Sequence, residues 1–390
     1  MHVPRSQHVR TIRALLRDNP VVAILGARQV GKTTLARQVL TSWRGKKFLF
    51  DLEDPVDRRK LEDPGLVLRE AQGLVVLDEV QRLPDVFRLL RVLADRRPVT
   101  TRFLVLGSAS PELLRQSSES LAGRIAFHEL NGLHQGEVAD LRGYSVARLW
   151  LRGGFPASYL ARNDDVSLRW RQDFVRTFLQ QDLPALQSGV PTAQIERFWL
   201  MLAHWHGNLW NAAELARSLG TGESVARRHL DLLAQTFVLR VLPPWHENLA
   251  KRQVKSPKVY IADSGIAHAL LGIRNHDELI GHPKSGATWE GFLLTQVVQR
   301  LGAQREECFF WSTHQGAELD LLVVRGKRRI GFEMKRSEAP EVTKSMRIAM
   351  QDLGLDELVV LHGGKDSWTM GDRMRAVAAI AIPHEIAPIQ

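Results

Sequence analysis

Gly26-Ala27-Arg28-Gln29-Val30-Gly31-Lys32-Thr33 matches the pattern G-x-x-x-x-G-K-[ST] at every position. The apolar run Val21–Leu25 precedes it, and Thr34 through Leu40 opens a helical pattern. In such a loop the glycines let backbone N–H groups converge on phosphate oxygens. The lysine reaches the outer phosphates, and the threonine hydroxyl holds Mg²⁺. Gly26 to Thr34 therefore predict a nucleotide-binding strand, loop and helix start. A ligand-free glycine turn is the alternative, and the strand and helix on either side argue against it.

The rest of the first 130 residues agrees with this reading. Val21–Leu25, Lys47–Asp51, Leu74–Leu77 and Phe103–Leu106 are short apolar runs separated by helical patterns, the signature of an α/β fold with buried parallel strands. Asp78 and Glu79 close the third run. Ligands gather at the carboxyl ends of parallel strands, so Asp78 is a candidate Mg²⁺ contact and Glu79 the candidate group that orients and polarises an attacking water. Ser108, after the fourth run, is a candidate γ-phosphate sensor, and Arg124 a candidate arginine finger; a strand-end turn and an ordinary surface arginine are the plain alternatives. No Asn-Lys-x-Asp motif is present, which favours ATP over GTP by exclusion.

At 390 residues the chain is too long for one ordinary core, and four zones are read along it: 1–130, 131–190, 191–242 and 243–390. The second is helical and polar, with a bend at Gly153-Gly154-Phe155-Pro156. The lone cysteine, Cys308, excludes disulfides within the chain and argues against cysteine-based zinc sites. No apolar run approaches the roughly 18 residues of a membrane helix, and the N-terminus lacks the apolar core of a signal peptide, so a cytoplasmic protein without a membrane partner is expected. The formal charge of +10 suggests a polyanionic partner, DNA above all.

In the third zone, Asn211–Gly220, the turn Thr221-Gly222-Glu223, the helical stretch Ser224–Thr236 and the apolar run Phe237–Leu242 follow the order of a winged helix. Val225, His229, Leu232 and Leu233 are read as the buried face of the second helix. Ser224, Arg227 and Arg228 are the candidate DNA contacts; a protein-contact role for the same module stays open.

The fourth zone begins at Pro243-Pro244 and includes strand-like Lys258–Ile261. Its strongest signal is the hairpin Glu318–Lys335. Gly326-Lys327 suits a two-residue type II′ turn, which pairs Arg325 with Arg328 and, counting outward, Asp320 with Glu333 and Glu318 with Lys335. Period two puts Glu333 and Lys335 on one face and Ile330, Phe332 and Met334 on the other. Opposed carboxylates destabilise a hairpin unless something compensates; a divalent cation would, as would neighbouring lysine and arginine side chains. Lys335 is placed to stabilise charge on a phosphoryl group or to help position a water, and Glu290 offers a further carboxylate, with a helix-dipole partner as its plain alternative.

GARQVGKTTL at Gly26–Leu35, LDEVQ at Leu77–Gln81, LGSAS at Leu106–Ser110, LAGR at Leu121–Arg124, KSPKVYIADSGIAHALL at Lys255–Leu271, WEGF at Trp289–Phe292, ELD at Glu318–Asp320 and EMK at Glu333–Lys335 occur in this order. Taken together they resemble the prokaryotic AAA+ ATPases that carry a C-terminal domain with a PD-(D/E)xK nuclease-like fold. The resemblance implies a sensor near Ser108, Arg124 as the finger, subunits side by side as homo-oligomers (a hexameric ring is favoured) and a winged helix ahead of the last domain. It also implies a metal site of Glu290, Asp320 and Glu333 with Lys335 as the catalytic lysine. The expected function is an ATP-hydrolysing protein acting on DNA, with a Mg²⁺- or Mn²⁺-dependent nuclease-like site. The alternatives are a nucleotide-dependent switch that binds DNA or protein without cutting, and an ATPase whose last domain only recognises DNA structure.

Overall fold

The computed structural model describes residues 3–107, 121–186, 191–246 and 255–389. The chain divides into two compact units, Met1–Gly132 with Gln235–Phe237, and Leu133–Ala234 with Val238–Gln390.

In the first unit, five strands are seen among the described residues: β1 (Val21–Leu25), β2 (Lys47–Asp51), β3 (Gly73–Asp78), β4 (Thr101–Leu106) and β5 (Ile125–Glu129). All pairs are parallel and the order is β2-β3-β4-β1-β5. The four apolar runs read from sequence are the first four strands. The fifth, Ile125-Ala126-Phe127-His128-Glu129, carries no apolar run that would mark it in the sequence and is a half-exposed edge strand. Both faces of the central strands are covered, which is why they are apolar throughout rather than alternating. Ala23, Val75, Leu77, Phe103 and Val105 pack with Phe87, Leu90 and Leu93 of the helix Val86–Ala94. This order inserts β4 between β1 and β3, so the phosphate loop and the Asp78 end of β3 flank the carboxyl end of one central strand.

The second unit opens with helices. Gly153 holds φ +73°, and a Cβ there would strike the Asp263 carboxylate, so glycine is required at the bend. That carboxylate accepts hydrogen bonds from Gly154 N at 2.7 Å and Ile266 N at 2.9 Å, tying the bend to the helix Ser264–Leu270.

The helix Thr192–His204, strand β6 (Asn208–Leu209), the helices Ala212–Leu219 and Glu223–Gln235, and strands β7 (Leu239–Leu242) and β8 (Lys258–Ile261) follow one another. The three strands form an antiparallel sheet in the order β6-β8-β7. Asn211 caps the helix Ala212–Leu219 through Glu214 N, and Gly220 ends it in the left-handed region. Two readings need correction. Lys258–Ile261 pairs with β6 and β7, so the Pro243-Pro244 break lies within one sheet. The buried face of Glu223–Gln235 runs through Ala226, His229, Leu230, Leu232 and Leu233, leaving Val225 only partly covered. Ala226, His229, Leu230 and Leu233 form the i, i+3, i+4, i+7 stripe that a helix buries.

The C-terminal sheet contains β9 (Cys308–Ser312), β10 (Glu318–Arg325), β11 (Arg328–Met334), β12 (Glu357–His362), β13 (Trp368–Gly371) and β14 (Met374–Ala378), in the order β13-β14-β12-β11-β10-β9. It is mixed: β11, β12 and β14 run parallel, and the other pairings are antiparallel. The helix Lys344–Asp352 packs Met346, Ala349 and Met350 against Leu319, Leu322, Leu358 and Val360. Gly326 takes φ +60°, and the ladder pairs Arg325 with Arg328 and Leu321 with Phe332. Against β9, β10 carries one extra residue between Leu319 and Leu322, an irregularity beside Asp320 of the kind that re-aims a side chain.

Candidate functional site

The phosphate loop leaves β1 at Gly26, and the helix Lys32–Ser42 starts within it. A Cβ on Gly26 would meet the Leu130 carbonyl, and Gly31 holds φ +101° as the helix begins. Gln29, exposed with Arg28 at the tip, is also left-handed at φ +61°. Lys32 is buried, and its Nζ donates to Gly26 O at 3.1 Å and Ala27 O at 3.0 Å, closing the loop on itself. Thr33 hydrogen-bonds the Asp78 side chain across the gap between loop and β3. Burial pushes the Asp78 carboxyl up, while Thr33 and the Glu79 backbone N–H, 3.0 Å from Oδ1, pull it back.

Glu79 has φ +53°, an uncommon backbone for a residue with a Cβ. Its carboxylate accepts from the Gln81 side chain, and burial raises its pKa too. A strained acid beside the helix start is a shape suited to aiming a carboxylate. Thr34 is exposed on the helix that follows. Arg124 makes a two-bond pair with Asp95 of the same chain, Nε to Oδ1 at 2.6 Å and Nη2 to Oδ2 at 2.9 Å, and is part-exposed. Ser108 lies outside the described residues.

A second cluster forms in the other unit. Glu290 comes from the helix Ser285–Leu301, Asp320 from β10 and Glu333 from β11. One step beyond the Leu321–Phe332 pair, Asp320 faces Glu333, and Asp320 Oδ2 accepts from Met334 N at 2.9 Å. Lys335 Nζ donates to Glu333 Oε2 at 2.9 Å. Burial and then the Asp320 charge push Glu333 up to about 8 and Glu290 up to about 7. Glu318, placed opposite Lys335 by the hairpin count, forms its ion pair with Lys258 of β8.

On the small sheet's helix, Ser224, Arg227 and Arg228 are all exposed, and Arg227 lies 3.9 Å from Glu223 in an open pair.

Residues 18–139 match the AAA domain family, residues 144–277 the domain of unknown function DUF8612, and residues 285–383 the domain of unknown function DUF4143. The uncharacterized proteins Rv2008c of Mycobacterium tuberculosis and Mb2031c of Mycobacterium bovis are each 46% identical over 379 residues, 97% of this chain and 84% of the relative. The chain belongs to the family of these mycobacterial proteins. This family member carries an AAA domain in its N-terminal part, and the domain match implies nucleotide binding with Mg²⁺. Among solved structures, the Walker-type ATPase PABY2304 of Pyrococcus abyssi aligns at TM-score 0.48 and 16% identity, covering 69% of this chain and 96% of that one. The RuvB Holliday junction branch migration motor of Thermotoga maritima aligns at TM-score 0.31 and 17% identity, over 62% and 90%. Among the described residues, no helix is long and apolar enough to cross a membrane.

Two residues of this family member's C-terminal cluster escape sequence reading. Lys258 Nζ lies 3.2 Å from Glu290 Oε1 and 3.8 Å from Asp320 Oδ1, besides its pair with Glu318. Tyr260 O–H donates to Glu290 Oε1 at 2.6 Å. Burial opposes the Lys258 charge, but the Glu290, Asp320 and Glu318 carboxylates outweigh it and hold the ammonium well above its ordinary range. The one signal in the sequence was Lys258 and Tyr260 alternating in a four-residue strand, two polar groups on one face of β8.

An all-oxygen donor set suits a hard divalent cation in chemistry. The geometry differs from a closed cage: no three of Glu290, Glu318, Asp320 and Glu333 bring one oxygen each within 4.8 Å of one another among the described residues.

Proposed function

We propose that this protein hydrolyses ATP to act on DNA, as an oligomeric AAA+ ATPase of the cytoplasm whose C-terminal unit carries a nuclease-like site. The observation that carries the ATPase reading is the meeting of Thr33 and Asp78 beside Lys32 and Glu79, at the carboxyl ends of β1 and β3. Lys32 neutralises the outer phosphates. Thr33 and Asp78 form the Mg²⁺ ledge, Glu79 orients and polarises the attacking water, and Arg124 serves a neighbouring subunit's nucleotide. Bound Mg²⁺ supplies charge neutralisation at the phosphates.

The DNA part rests on the basic charge and on the β6–β8–β7 sheet with its helices, whose order is that of a winged helix exposing Ser224, Arg227 and Arg228. The nuclease-like part rests on Glu290, Asp320 and Glu333 with Lys335 beside them. Mg²⁺ or Mn²⁺ held there would supply Lewis-acid chemistry at a phosphodiester.

One observation favours the second reading, a nucleotide-dependent switch that binds DNA or protein without cutting: the Lys258 ammonium stands among the carboxylates.

The test has two arms. Lys32→Ala should abolish nucleotide binding, while Glu79→Gln should keep it and lower turnover by about 10²-fold or more. Equal turnover in wild type and Glu79→Gln removes Glu79 from the mechanism. Linear, circular and branched DNA incubated with Mn²⁺ should be cut by wild type and spared by Asp320→Ala. Equal residual cleavage by both sinks the nuclease-like part and leaves the switch.

A further inference from the structure

Lys258 is 5% exposed, and β8 delivers its side chain among acids from another sheet and a helix. A buried ammonium survives only when paired, and one carboxylate partner is the ordinary solution. Here three surround one nitrogen: Glu290 Oε1 at 3.2 Å, Asp320 Oδ1 at 3.8 Å, and Glu318. Tyr260, two residues along the same strand face, donates to the same Glu290 Oε1 that Lys258 Nζ reaches. Glu333 is served separately by Lys335. The acids nearest Lys258 thus enclose a cation already, and they stand too far apart to ligate a small divalent ion together. Mg²⁺ requires oxygens at about 2.0–2.1 Å and Ca²⁺ at about 2.3–2.6 Å. An ammonium among the same oxygens excludes either ion, both by volume and by charge.

We propose that Lys258 is a resident counter-cation of the C-terminal carboxylate site, and that a divalent metal binds there only when the Lys258 ammonium leaves. The inference rests on reading that cluster as a metal site. It makes metal loading conditional on the position of β8, which is laddered to β6 and β7 of the helix–turn–helix sheet.

The test is Mn²⁺ binding to the full, nucleotide-free chain, followed by calorimetric titration and by the electron-spin signal of free Mn²⁺. Wild type should bind weakly. Lys258→Gln and Lys258→Met should each bind roughly tenfold tighter or better, and Asp320→Asn added to either should erase the gain. Added Mn²⁺ should also raise the Tm of the single variants more than that of wild type. Removing a buried ammonium strands its partners, so Lys258→Gln/Glu318→Gln deletes one pair together and leaves Glu290, Asp320 and Glu333 in place. It should fold and show the same gain. Two results overturn the counter-cation while leaving a metal site standing: Asp320-dependent binding of equal strength in wild type and all Lys258 variants, or binding that weakens without the lysine. If no form binds Mn²⁺ in an Asp320-dependent way, the metal reading falls as well.

Discussion

Gly26 shows how little a phosphate loop tolerates at one position. The Leu130 carbonyl fills the space where any Cβ would go, and backbone cannot swing aside as a flexible side chain would. Gly26→Ala should therefore displace the loop or β5's exit. We expect it to cost about 1–3 kcal/mol of stability and to abolish nucleotide binding, read by denaturant titration and by a fluorescent nucleotide. An unchanged nucleotide affinity would mean that the loop can re-form around the extra methyl. The positions of Lys32, Thr33, Asp78 and Glu79 at the ends of β1 and β3 follow from the sequence because each lies in a contiguous strand-and-loop word. The surroundings of Lys258 do not, because its meaning comes entirely from acids 32 to 62 positions away. Nothing in Lys258-Val259-Tyr260-Ile261 says which carboxylates it will meet.

Elements were legible where burial imposed a pattern and illegible where it did not. The central strands β1, β3 and β4 announced themselves as apolar runs because both of their faces are buried, whereas β2, at the sheet edge, was legible from its Phe48-Leu49-Phe50 core although only Phe50 is fully buried. β5, an edge strand of mixed residues, gave no such run. The hairpin register followed from one glycine at the turn, whereas β8 joined a sheet that its distance in sequence from β7 did not suggest. The helix Glu223–Gln235 illustrates a finer point. Its exposed arginines follow from the same periodicity that buries Ala226, His229, Leu230 and Leu233. Arg227→Ala and Arg228→Ala change no core contact, so folding should hold. If this helix reads DNA, each substitution should weaken binding across sequences and reduce the slope of log affinity against log salt by about one. Binding curves over a salt series decide it: unaltered slopes assign the module to protein contacts instead.

For the whole molecule, buried imidazole sets one expectation. His268 is fully buried; its Nδ1 donates to Leu151 O at 3.1 Å, and it faces the charged or titratable groups Arg171, His206 and His282. Burial drives its pKa down to about 3. Between about pH 6.5 and 3 the unfolded chain takes a proton that the folded chain refuses. Stability from this group is therefore complete above that window and lost as pH falls through it, by up to about 1.4 kcal/mol per pH unit. His268→Asn, which retains a donor for Leu151, should fold and show an acid limb shallower by up to one proton in denaturation series.

The largest expectation concerns assembly. Arg124 is paired with Asp95 within its own chain, at a part-exposed position. Surface pairs of this kind are readily exchanged, so the guanidinium is available to a phosphate presented by another subunit. If it acts there, a Lys32→Ala subunit has a dead loop but a good finger, and an Arg124→Ala subunit the reverse. Each alone should be inactive in ATP hydrolysis. Mixed, they must generate some interfaces in which an intact loop meets an intact arginine, and turnover should reappear in proportion to that fraction. Asp95→Ala, which frees the arginine, should leave turnover unchanged or raise it. Mixtures that stay as inactive as their parents, although subunits exchange, would confine Arg124 to its pair with Asp95 and leave each loop to work with the residues of its own chain.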